Sequence, residues 1–198
     1  MGLPSLALAH SAGDVLVRAG AITVSPDDSS DKFLGEEFKV DNDTQLGLTV
    51  GYMVTDNIGV ELLAATPFSH NIALPQFGNI AKTRQLPPTL MAQYYFGNKN
   101  SMWRPYVGIG LNYTTFFHEK FVDSPARPLL SDIKLKDSWG VAGQVGMDFV
   151  FNKNFIVNGS IWWMDIDTKA QFKLDGKHQS VKTHIDPWVY MMSVGYRF

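Results

Sequence analysis

Counted back in steps of two from the C-terminus, Phe198, Tyr196, Val194, Met192, Tyr190 and Trp188 are all apolar or aromatic. The residues between them, Arg197, Gly195, Ser193, Met191 and Val189, are smaller and more polar. A period of two places the two sets on opposite faces of a β-strand. An apolar face about 25 Å tall with aromatics at both ends is what a transmembrane β-barrel strand presents to lipid. The pattern recurs upstream at about 14–24, 44–54, 58–67, 86–96, 103–117, 137–149 and 155–166, so the C-terminal strand is the eighth. Connections alternate between long (about 25–43, 68–85, 118–136 and 167–183) and short (Thr55-Asp56-Asn57, a turn at 97–100, and Asn152-Lys153-Asn154). The predicted fold is therefore all-β: an eight-stranded antiparallel transmembrane β-barrel with long extracellular loops and short periplasmic turns, placed in a bacterial outer membrane. Pro87 and Pro88 fall near the start of the fourth strand. Proline cannot donate to a ladder, so an irregular start and a local opening in the wall are expected there.

Composition sharpens this in three places. No apolar run approaches the roughly 20 residues of a spanning helix, and mean hydropathy is −0.07. Strands can still cross a membrane, because lipid-facing and lumen-facing residues average out. A formal net charge of −2 gives no reason to expect nucleic acid as a partner. The absence of Cys excludes thiolate catalysis, disulfides and Cys-ligated metals. At the start, Ala7-Leu8-Ala9 fits a signal-cleavage site. Residues 1–9 are expected to be a signal remnant and 10–198 a single barrel domain, with a flexible N-terminal arm as the plainer alternative.

Candidate chemistry lies on the inward faces. Loop lengths orient the barrel and put Arg18, Glu61, Gln93, Arg104, Asp148 and Arg197 in the periplasmic half of the lumen. Paired charges are tolerable in such a space and unpaired ones are costly, so these residues are expected to form a polar plug, or else an ion path. Farther up, Met53, Leu63, Met91, Phe116, Trp162, Met164, Val189 and Met191 are expected to make an apolar lumen. Such a space suits a small hydrophobic molecule, or is plain core. Catalysis finds little support. The five His residues lie at the N-terminus or in loops without ligand spacing, and no Gly-x-Ser-x-Gly elbow exists. Asp165 and Asp167 read as a solvated strand exit more readily than as a cation site. No enzyme activity, metal or cofactor is expected.

Several segments resemble the OmpW family of small outer-membrane proteins. They include Asn57-Ile-Gly-Val-Glu-Leu-Leu-Ala-Ala-Thr-Pro-Phe68, Leu86-Pro-Pro-Thr-Leu-Met-Ala-Gln93, Asn112-Tyr-Thr-Thr-Phe-Phe117, Leu135-Lys-Asp-Ser-Trp-Gly140, Trp163-Met-Asp-Ile-Asp-Thr168 and Asp186-Pro-Trp-Val189. The resemblance implies a hydrophobic channel that takes up small hydrophobic molecules passively and releases them sideways through the wall. It also implies that Leu63 and Trp162 narrow the channel floor, and that the prolines suit a lateral exit. Expected partners are outer-membrane lipid and lipopolysaccharide, small hydrophobic molecules, and the barrel-assembly machinery through the C-terminal Phe198. The rival expectations are a surface receptor or structural protein acting through its loops and, at the level of fold, a soluble lipocalin-like barrel.

Overall fold

The computed structural model describes residues 10–27, 29–30, 39–74, 78–98, 100–123 and 130–198. The expected signal remnant at 1–9 lies outside the described residues. In chain order the strands are β1 (Val15–Ser25), β2 (Ser29–Ser30), β3 (Lys39–Val40), β4 (Asp43–Met53), β5 (Ile58–Ala65), β6 (Phe68–Leu74), β7 (Gly78–Leu86) and β8 (Thr89–Tyr95). They continue with β9 (Trp103–Phe121), β10 (Leu130–Leu135), β11 (Ser138–Val150), β12 (Phe155–Met164), β13 (Asp167–Leu174), β14 (Lys177–His184) and β15 (Trp188–Arg197).

Eight of these close the barrel. The antiparallel order is β11-β12-β15-β1-β4-β5-β8-β9, and β9 returns to β11. Closure pairs each of the eight barrel strands on both sides, the condition for spanning lipid with strands. The alternation read from the sequence holds: Leu46, Leu48, Val50 and Tyr52 of β4 point outward and Thr49 inward. Aromatic pairs mark both rims. Tyr113 and Trp139 meet at one end, with ring centroids 4.8 Å apart and tilted by 41°, and Trp163 and Trp188 form a cross-strand pair toward the same end. Trp103–Phe149, Phe155–Tyr196 and Tyr196–Phe198 mark the other.

The long connections depart from expectation. Much of what the sequence reads as loop is strand, and it continues the wall beyond the membrane. The β6–β7 hairpin pairs with the upper part of β9, and a second sheet runs β10-β13-β14-β2. Its alternation is intact: Thr168, Ala170 and Phe172 of β13 are buried while Asp167, Lys169 and Gln171 are exposed. The outward set is polar because it meets water and headgroups, so a search for an apolar lipid face passes over these strands.

The prolines interrupt one seam. The β5–β8 ladder ends at Leu63 opposite Thr89, and β6–β7 resumes at Phe68 opposite Gln85. Residues 64–67 and 86–88 carry no described ladder pair with each other. Each edge stays anchored on its other side, by Thr66 N to Leu46 O (3.0 Å) and Tyr113 N to Pro88 O (3.0 Å).

Candidate functional site

From the outer mouth downward the interior is layered. The upper chamber lies within the extended wall, where Ile72, Ile80, Phe121, Ala170 and Phe172 meet. Its free volume is about 30 Å³, so the side chains nearly fill it. Its polar contribution is small. His70 Nδ1 donates to Asp41 O (2.7 Å), which leaves Nε2 to accept from Gln85 Nε2 (2.9 Å). Burial is the largest influence on His70 and pushes its pKa below the usual 6.5, against the pull of the Asp41 carbonyl and of the Asp41 and Asp43 carboxylates. As pH falls through 6.5, the unfolded chain takes up a proton that folded His70 resists. The hairpin's stability is therefore complete above that pH and declines below it. Protection factors in β6 and β7, corrected for the intrinsic slowing of amide exchange as pH falls, should drop below about pH 6.5, and His70→Gln should remove that slope.

Below the chamber a second apolar cluster includes Leu63, Met91, Phe116, Trp162, Met164, Val189 and Met191. Leu63 and Trp162 are each 1% exposed and belong to this cluster. Trp162 Nε1 donates to Ser160 Oγ (3.0 Å), which fixes the indole. Leu63 pairs with Thr89, the last residue pair before the proline seam. Asn112, which was not among the expected site residues, is buried at this level. Its Nδ2 donates to Thr89 Oγ1 (2.8 Å), and Thr89 Oγ1 donates to Pro87 O (3.0 Å). The two side chains thus satisfy carbonyl capacity that a regular ladder would have used.

Next comes the polar layer. Arg18 donates to Glu61 through Nη1, and through Nη2 to Asp148 (2.6 Å) and the Tyr95 hydroxyl (3.0 Å). Gln93 donates to Glu61 and Gln144, both at 2.8 Å, and Asn158 donates to Asp148 at 2.6 Å. The Tyr106 ring lies over Gly146, where a Cβ would sit 2.4 Å from Cζ, so only glycine leaves room for it. Arg18, Glu61 and Asp148 are essentially unexposed. One guanidinium joins two carboxylates, and Gln93, Gln144 and Asn158 add neutral donors to them, a connected network of the kind in which buried ions are tolerable. An ion crossing it would have to break these bonds.

Three expected residues sit elsewhere. Met53 was expected in the upper lumen but packs beneath the polar layer with Leu16, Tyr95, Tyr106 and Ile156. It ends β4 at the periplasmic turn, and alternation fixes a side chain's face without fixing its height. Arg197 was expected in the plug but lies at the rim, where it reaches Lys153 O and, at 3.5 Å, Asp14. Arg104 is buried at plug level but turns from the carboxylates to donate to Asp56 O (2.8 Å) and Asn98 O (3.2 Å) of two periplasmic turns.

One member of the floor was missed altogether. His10 is fully buried, with Nε2 at 2.6 Å from Asp148 Oδ2 and its ring edge-on to Tyr95. Nothing local in the sequence marks a residue before the first strand as lumenal. The floor's surplus of acceptors is the one signal that points to it. At the opposite end Asp167, His184 and Asp186 approach within 4.8 Å. Asp167 holds His184, and Asp186 Oδ1 accepts Ile166 N (3.0 Å), so the group ties the β12–β13 corner to the end of β14.

Comparison with known proteins agrees with this architecture. The OmpW family matches residues 11–198. Outer membrane protein W of Escherichia coli is 56% identical over 198 residues, covering 99% of this chain and 93% of the relative. The Vibrio cholerae counterpart is 52% identical over 197 residues, covering 96% and 91%. The crystal structure of OprG from Pseudomonas aeruginosa superposes with a TM-score of 0.91 at 46% identity, over 96% of this chain and 98% of that one. A barrel closed around an apolar lumen, matched over nearly its whole length, makes the chain a member of the OmpW family of non-enzymatic bacterial outer-membrane proteins.

Proposed function

We propose that the barrel is a passive conduit for small hydrophobic molecules, which enter from the extracellular side and leave sideways into the membrane. One observation supports the reading: Leu63 and Trp162 are both buried in the apolar cluster, and Leu63 stands in the last ladder pair before the break in the wall at Pro87 and Pro88. A molecule that leaves water for the upper chamber exchanges hydration for apolar contact. Descending, it meets the Leu63–Trp162 level with the charged network below. The seam offers an exit, since among the described residues of the eight barrel strands it lacks the ladder that closes the other junctions. Alternation alone supports a lumen filled as plain core; the seam at the same height favours transit.

Uptake of a small hydrophobic fluorophore into proteoliposomes tests this. Native protein should admit it faster than empty liposomes do. Trp162→Ala should alter that rate while ionic conductance stays at baseline, because the Arg18 network remains intact. Equal rates for native protein and empty liposomes would overturn the reading.

A further inference from the structure

We propose, resting on the conduit reading above, that Asn112 and Thr89 are positioning residues for its lateral exit. Together they give the Pro87 carbonyl a donor from its own side of the wall, so the seam can part without leaving that carbonyl bare. Successive residues of a strand turn their backbone groups to alternate sides. The Pro88 carbonyl accepts Tyr113 N of β9, so the Pro87 carbonyl turns to the seam. Continuing the β5–β8 register would set Ala65 opposite Pro87. That edge turns away instead: Thr66 N donates to Leu46 O, Thr66 Oγ1 donates to Gln45 Oε1 (3.0 Å), and Pro67 has no N–H to offer.

Three side chains pass a donor to the Pro87 carbonyl in turn. Thr114 Oγ1 donates to Asn112 Oδ1 (2.7 Å), which fixes the amide. Asn112 Nδ2 donates to Thr89 Oγ1 (2.8 Å), and the hydroxyl keeps its own proton for Pro87 O (3.0 Å). The Asn112 amide nitrogen also stands 3.4 Å from the Pro87 carbonyl and 3.5 Å from that of Pro88. All three side chains are fully buried, and all belong to β8 and β9. Parting the seam therefore breaks none of these bonds. Tyr113 belongs to the aromatic rim, so the seam opens at the edge of the hydrocarbon, where a carbonyl stripped of its partner is costly. The relay removes that cost. Without the hydroxyl, Pro87 O would regain a donor by pairing across to Ala65 N, and the wall would close.

The test compares native protein with T89V, T89S and N112L in lipid bilayers. T89V keeps the branched shape and loses the hydroxyl, whereas T89S keeps the hydroxyl. In T89V and N112L the maximal uptake rate of a small hydrophobic fluorophore should fall about fivefold. The concentration giving half the maximal rate should not change, because the mouth is untouched. T89S should keep the native rate. Amide exchange at Ala65, followed by NMR, should slow about fivefold in T89V and stay native in T89S. A side chain that merely supports the fold would show the opposite sign, with exchange faster on its loss. Faster or unchanged exchange at Ala65 in T89V would overturn the proposal, as would native uptake by T89V or a loss in T89S equal to that in T89V. Equal uptake by native protein and empty liposomes is a separate result that defeats the conduit reading itself, and it is read without any variant.

Discussion

Replacing Arg18 with Met should lower the unfolding free energy of the barrel by about 3–5 kcal/mol, measured by urea titration in lipid bilayers. Arg18 joins the two carboxylates of the polar layer, Glu61 and Asp148, and also donates to Tyr95 Oη. All of these groups are buried. Methionine fills much of the volume but leaves two carboxylates without their principal counter-ion, and desolvated charge is the costly element of such a network. Neutralising the partners in the same background, with Glu61→Gln and Asp148→Asn, should recover most of the loss. A buried ion network replaced as a unit is often nearly neutral, whereas one broken in the middle is not. A loss below about 1 kcal/mol for Arg18→Met would mean that the layer is wetter and less coupled than its geometry indicates.

The second large effect concerns transit. Pro87→Val combined with Pro88→Val should slow hydrophobe uptake about fivefold, while leaving the folded barrel as stable as before or more so. Both substitutions restore a backbone donor in a residue type that favours strands. The Pro88 carbonyl already faces β9, so only the donor restored at 87 faces the seam, and at about 1 kcal/mol per hydrogen bond it would shift a closed-versus-open equilibrium there roughly fivefold. Liposome uptake supplies the rate and thermal unfolding supplies the control. Unchanged uptake in a stable double variant would place the exit elsewhere.

The legibility of this chain followed the physics of its surroundings. Strands in hydrocarbon were readable because lipid demands an apolar outward face, so Val107, Ile109 and Leu111 announced their side of the wall, and with it the inward position of Asn112. Strands above the membrane have no such demand. Lys169 and Gln171 read as loop although they alternate with buried Ala170 and Phe172. Inward direction was equally readable for Arg18, Glu61 and Asp148, and their pairing followed from the cost of isolating any one of them. Level was harder. Met53 shares its face with Thr49 but sits at the strand's lower end, because position along a tilted strand depends on stagger. His10 belongs to no strand, so its docking on Asp148 is a tertiary fact without a local signature.

β9 spans 19 residues, roughly 63 Å of extended chain, whereas about 9–11 residues suffice to cross the hydrocarbon. Nearly half of it stands clear of the acyl chains, and the oily chamber is built against that half. For a molecule crossing by the proposed route, the slow step would move out of the tightly ordered outer leaflet and into the protein. Flux would then be governed by the width of the mouth and the ease of parting the seam, and hardly at all by the stiffness of the lipid beneath the opening.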